Sequence, residues 1–132
     1  MTDKEKIDYL SRDAAFGILT RPAVELALAA MSPCSASLYI LDLADIHRKN
    51  VCYGYLVVND KIRAALQRTQ EYRPELILGR IFSGDEIAIF DPAGGNDLTL
   101  IKEIIFYFRN YEIGFRFSLN PIQLGFLQFD HW

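Results

Sequence analysis

The run Ser37-Leu38-Tyr39-Ile40-Leu41-Asp42-Leu43 is apolar at consecutive rather than alternate positions. Such a segment needs burial on both faces, which places it as a strand inside a sheet rather than at its surface. A strand of that kind requires helices to cover it, and the flanking sequence supplies them. After Arg21-Pro22, residues Ala23 to Met31 are rich in Ala and Leu, with the proline suited to a first helical turn and Ser32-Pro33 as a stop. Beyond the strand, Val51, Tyr55, Val58, Ile62 and Leu66 recur at spacings of four, three, four and four. This predicts a helix from about Asn50 to Thr69 with one apolar stripe, broken at Arg73-Pro74.

Two further apolar stretches, Leu76 to Phe82 and Ile87 to Phe90, flank Ser83-Gly84-Asp85-Glu86 and predict a hairpin. After the loop Asp91-Pro92-Ala93-Gly94-Gly95, Asn96 or Asp97 is placed to cap a helix running to about Asn110. Ile113 to Leu119 reads as a strand interrupted by Asn120-Pro121, and Gln123 to Phe129 as a last short one. Residues 3 to 10 predict a short charged helix before Ser11-Arg12-Asp13. The order helix, strand, helix, hairpin, helix, strand predicts an α/β (α+β) fold of the ferredoxin-like or palm type. Its helices would pack on a mostly antiparallel sheet.

At 132 residues and 51% hydrophobic, residues 1–132 read as one compact domain with a proper core. The formal net charge of -3 argues against DNA binding through bulk phosphate neutralisation, yet permits a nucleotide held locally by metal and a few cations. No signal-peptide pattern and no bilayer-length apolar run is visible, so the expected compartment is the cytoplasm, with no membrane contact. Cys34 and Cys52 read as reduced structural thiols, and His47 and His131 lack the spacing of a zinc pair. Gly94-Gly95 reads as a plain turn, since no Walker lysine follows, and no nucleophile motif is present.

The chemistry-bearing residues are carboxylates. Asp42 ends the predicted interior strand, and Asp85-Glu86 sit at the hairpin bend, two places that lie side by side in a palm sheet. Acids held there suit Mg²⁺ (or Mn²⁺), which takes one or two protein carboxylates and leaves other positions to phosphate oxygens. Taken singly, Asp42 serves equally as a cap for the next helix, and Asp85-Glu86 as an ordinary polar turn. The aromatic tail with Phe126, Phe129 and Trp132 reads either as buried or as a contact surface.

Three stretches in order resemble the motifs of GGDEF domains, the diguanylate cyclase family. Arg12 to Arg21 is similar to Asp-x-Leu-Thr-Gly-Leu-x-Asn-Arg, matching at Asp13, Gly17 and Arg21 and departing at Phe16 and Thr20. Asp42 to Gly54 is similar to Asp-x-Asp-x-Phe-Lys-x-x-Asn-Asp-x-x-Gly, with Asp42, Asn50 and Gly54 in step. Ser83-Gly84-Asp85-Glu86-Ile87 resembles the signature Gly-Gly-Asp-Glu-Phe. The resemblance implies metal at Asp42, the carbonyl of Leu43, Asp85 and Glu86, with Asp42, Asp85 and Glu86 catalytic. It implies close phosphate approach at Ser83 and Gly84 and base reading at Asn50.

The departures matter as much. Asn59 stands where the family has a base-reading Asp, so guanine's two donors lose one acceptor and adenine becomes admissible. Ala44 replaces the second strand-end Asp. His47 replaces a phosphate-binding Lys, with Arg48 and Lys49 beside it. Arg73-Pro74-Glu75-Leu76 lacks the Asp of the product-inhibition motif, and Asn120 to Trp132 has no Lys or Arg for the phosphates.

The resemblance implies a nucleotide cyclase that condenses two nucleoside triphosphates, GTP or ATP, into a cyclic dinucleotide. Turnover would need a homodimer or assembly by a partner protein. The alternatives are a catalytically silent GGDEF-like regulator that binds a nucleotide or a protein, and a minimal CRISPR-type palm cyclase using ATP.

Overall fold

The computed structural model describes residues 12–31, 34–82 and 84–124. In chain order they form β1 (Leu19–Thr20), α1 (Arg21–Ala29), β2 (Cys34–Leu43), α2 (Ile46–Tyr53) and α3 (Tyr55–Tyr72). These are followed by β3 (Ile77–Arg80), β4 (Glu86–Asp91), α4 (Leu98–Asn110) and β5 (Phe115–Leu124). One five-stranded sheet has the order β1-β3-β4-β2-β5, parallel only between β1 and β3. The expected mixed α/β architecture with a mostly antiparallel sheet is therefore present.

β2 is an interior strand covered on both faces, as its unbroken apolar run requires. Tyr39, Leu41 and Leu43 enter a core with Val58, Ile62, Ala65 and Leu66 of α3 and Leu100, Ile104 and Phe108 of α4. Ala36 and Leu38 face the other way, packing with Val24 and Leu28 of α1 and with Ala88 and Phe90 of β4. Each fully buried side chain of this size contributes about 1.5–3 kcal/mol of transfer free energy. Gly79 on β3 permits the close approach of α1, since a Cβ there would overlap Val24 Cγ2.

The helix expected from Asn50 to Thr69 is two helices. Gly54, at φ +85°, ends α2 and opens α3, a backbone angle that side-chain-bearing residues rarely adopt. The apolar stripe is accordingly shorter than its spacing suggested. Val58, Ile62, Ala65, Leu66 and Thr69 are buried, whereas Val51 and Tyr55 point to solvent. Buried Thr69 satisfies its hydroxyl by donating to the Ala65 carbonyl at 3.0 Å.

β5 also differs from expectation, because it runs unbroken through Asn120-Pro121 to Leu124. Among the described residues β5 is an edge strand, and a proline without an N–H is tolerated there. The remainder of the expected final strand, from residue 125, lies outside the described residues, as do the expected helix at 3–10 and the aromatic tail. The two-residue β1 was not anticipated; two residues carry no readable periodicity.

An ionic knot ties the end of the sheet remote from Asp42. Arg73, just past α3, pairs with Asp97, with Asp91 at 3.6 Å and with Glu75 at 3.7 Å. Asp91 is fully buried at the end of β4, and its Oδ1 accepts from the Ala93 amide at 3.0 Å. Asp97 caps α4 as expected, accepting from the Leu100 amide at 3.0 Å. That amide, followed by the Arg73 guanidinium, holds the Asp97 carboxyl below its ordinary range. Burial pushes the Tyr39 hydroxyl up, and its oxygen accepts from the Asp97 amide at 3.4 Å.

Candidate functional site

Three polar side chains form a row across the other end of the sheet. Asp42, near the end of β2, stands opposite Glu86 on β4 and opposite Arg116 on β5. Directly paired residues on neighbouring strands share a face, with Cβ atoms about 4.5–5.5 Å apart. Asp42 and Arg116 are exposed and Glu86 half-buried. Asp85, also exposed, precedes Glu86, and its carbonyl accepts from the Leu43 amide at 2.9 Å. A strand residue directs its N–H and C=O to the same side, so the Leu43 carbonyl turns towards β4 and the acidic turn.

Among the described residues the carboxylates of Asp42, Asp85 and Glu86 have no hydrogen bond or ion pair, and no three acidic, His or Cys side chains converge as a metal cage. Unpaired carboxylates at a strand end and a bend, beside an inward-turned carbonyl, are hard oxygen donors. Such a partial set fits Mg²⁺ delivered with phosphates rather than an all-protein site.

Arg80 fixes the acidic turn, a role that sequence reasoning missed. Its Nη1 donates to Asp13 Oδ1 at 3.1 Å, its Nη2 to the Gly84 carbonyl at 2.8 Å, and its guanidinium lies 4.5 Å from the Phe16 ring centroid. Asp13 is itself tied down, its Oδ2 accepting from the Phe16 amide at 2.7 Å. Arg63 on α3 clamps the same segment, donating to the carbonyls of Ala14 and Ala15 at 2.8 and 2.9 Å. The opening stretch Arg12 to Arg21 thus props up the turn. A visible signal was an arginine four residues before a glycine bend; its partner, 67 positions away, was not.

The remaining expected residues lie along α2 and α3. His47 and Arg48 are exposed in the first turn of α2, whereas Lys49 donates to the Glu112 carbonyl at 2.8 Å and so is committed to the fold. Asn50 follows, and its buried Oδ1 has no hydrogen-bond partner. A buried acceptor without a donor is costly unless a ligand supplies one. Asn59 sits half-buried on α3, beyond the Gly54 break. No hydrogen bond joins the Asn50 and Asn59 side chains among the described residues. Gly84 is exposed in the turn, and Ser83 lies outside the described residues. Arg73 is held in the ionic knot.

Solved structures share this architecture. A domain of the diguanylate cyclase SiaD from Pseudomonas aeruginosa, solved in complex with its activator SiaC, superposes with a TM-score of 0.68 at 14% identity over 98% of this chain. The fold is that of a GGDEF domain. The coiled coil and GGDEF domain of DgcB from Caulobacter crescentus, in complex with c-di-GMP, give 0.67 at 13% identity over 90% of this chain and 73% of that one. A diguanylate cyclase/phosphodiesterase from Caldicellulosiruptor saccharolyticus gives 0.63 at 20% identity over 91% and 79%.

This chain spans 56% of the SiaD chain. No protein-family model matches the sequence, and no curated protein sequence matches it. The likeness to GGDEF domains is thus one of fold. No helix among the described residues is long and apolar enough to cross a membrane.

Proposed function

We propose that this GGDEF-fold chain binds nucleoside triphosphates with Mg²⁺ and condenses two of them into a cyclic dinucleotide. The observation that carries the reading is Asp42 opposite Glu86 in direct cross-strand register, with Asp85 alongside. In this reading Asp42, Asp85 and the Leu43 carbonyl would hold the metal, with Glu86 supporting it. Bound there, Mg²⁺ would offset charge on the α-phosphate and lower the pKa of an attacking ribose hydroxyl. Asn50, with its buried orphan oxygen, supports contact with a base N–H. Gly84 leaves the turn open to phosphate, with Ser83 beside it in sequence. Arg48 contributes positive charge from α2, with His47 beside it as a hydrogen-bonding group.

Each chain would present one nucleotide, so turnover needs two chains face to face or a partner protein that assembles them. Asn59 has one acceptor and one donor where guanine offers two donors, which leaves ATP as a competing substrate. The reading includes operation in the cytoplasm as a single domain.

The test is incubation of concentrated protein with each nucleoside triphosphate and Mg²⁺ or Mn²⁺, with products identified by mass spectrometry. Metal-dependent pyrophosphate release, a cyclic dinucleotide, and loss of both in Asp42→Ala and Asp85→Ala are expected. A folded, dimeric protein giving no product from any nucleotide or mixture sinks the cyclase reading. That outcome favours a silent nucleotide-binding regulator, for which the commitment of Lys49 to Glu112 and the absence of acid at Ala44 already speak.

A further inference from the structure

We propose that Arg116 binds the triphosphate of the bound nucleotide, bringing a guanidinium to the row of acids across the sheet. The inference rests on the nucleotide-binding reading above and assigns a residue that the motifs do not. β5 pairs with β2 so that Arg116 stands directly opposite Asp42, with Glu86 one strand further on. Glu86, Asp42 and Arg116 therefore follow one another across three strands, on one face, at intervals of about 4.8 Å.

The other cations near this end of the sheet are largely spoken for. Arg80 is bound to Asp13 and Gly84, and Lys49 to the Glu112 carbonyl. Arg116 is exposed and, among the described residues, makes no hydrogen bond or ion pair, even with Asp42 opposite it. His47 and Arg48 also make no hydrogen bond or ion pair among the described residues, but they lie on α2 rather than on the sheet.

Chemistry favours a phosphate for this guanidinium. An exposed arginine facing one carboxylate gains little, because water screens the pair. Two parallel N–H donors match the oxygens of a phosphate, and the bond is charge-assisted on both sides. A triphosphate approaching the carboxylates of Asp42, Asp85 and Glu86 needs a metal and a cation to offset its charge. Arg116 brings that cation from the outermost strand, where a ligand has open access.

The measurement is calorimetric titration of the full chain with Mg·ATP, Mg·GTP and inorganic triphosphate, comparing wild type with Arg116→Ala, Arg116→Gln and Arg116→Lys. Because Arg116 is exposed and unpartnered, all three should keep the wild-type melting temperature; Gln, nearly as long and neutral, stands in if Ala is poorly folded. The neutral variants should weaken nucleotide and inorganic triphosphate alike, by about ten- to hundredfold, and Lys should restore part of the loss.

Unchanged nucleotide affinity in the neutral variants overturns the proposal. So does a loss confined to nucleotide, which would place Arg116 against base or sugar. Tighter binding would mean that the guanidinium competes with metal, and overturns it as well. If wild type binds no nucleotide triphosphate at all, the nucleotide-binding reading itself falls and this inference falls with it.

Discussion

Arg80 and Asp13 meet at 3.1 Å across 67 positions of sequence, and through them the opening stretch of the chain holds the acidic turn. Both side chains are about one-quarter to one-fifth exposed, so the contact is sheltered enough to matter. Arg80→Ala leaves the half-buried Asp13 carboxylate without its cation and frees the Gly84 carbonyl. The expected loss is about 1–3 kcal/mol in urea unfolding. Arg80→Lys should recover only part, since an ammonium lacks the two-armed geometry. A variant as stable as wild type would show that the turn holds itself.

Asp97 gives the protein an acid-sensitive joint. Its carboxyl sits below the ordinary range because the Leu100 amide and Arg73 favour its charged form. Its stabilisation is therefore complete above the unfolded-state carboxylate pKa and is lost as pH falls through the lower folded value. Asp97→Asn should be destabilised relative to wild type at neutral pH, with the gap narrowing in acid. Melting curves across pH decide it; a gap that stays constant removes Asp97 as the source.

Gly79 sets how closely α1 approaches the sheet. Gly79→Ala drives a methyl into Val24, and overpacking of this kind costs about 1–3 kcal/mol. Pairing it with Val24→Ala should relieve much of that loss, beyond simple additivity of the two changes. Additive losses in the double mutant would place the strain elsewhere.

Base preference is the sharpest test of the α3 assignment. Asn59→Asp supplies a second acceptor to a guanine edge and removes a donor from an adenine one. Competition binding should shift towards GTP by about tenfold, the equivalent of one buried hydrogen bond. An unchanged ratio would remove Asn59 from the base site.

Much of this architecture was legible in the residues. The consecutive apolar run of β2, the glycine bend between β3 and β4 and the Asp97 cap each encode a local geometry that tertiary contacts reinforce. Gly54 was visible too, yet a matching apolar spacing ran across it and concealed the break. Pro121 read as an interruption because its tolerance depends on β5 being an edge strand, which only the sheet order reveals. At the site, the acids announced themselves by their places at a strand end and a bend. Arg80 and Arg116 did not, since their meaning comes from partners far away in sequence: one through a side-chain contact, the other through strand register.

The glycine break between α2 and α3 divides the two asparagines between helices of unequal grip. α3 anchors itself with five buried residues, whereas α2 buries only Ile46. A helix held by Ile46 and by the Lys49 hydrogen bond to the Glu112 carbonyl should exchange its amides sooner than one with five buried residues. Asn50 rides on the less buried helix, and Asn59 on the more buried one. The gap between them is set by the chain reversal at Gly54. A base seated there would act as the missing clasp, so that occupancy of the site registers as rigidity of the helix.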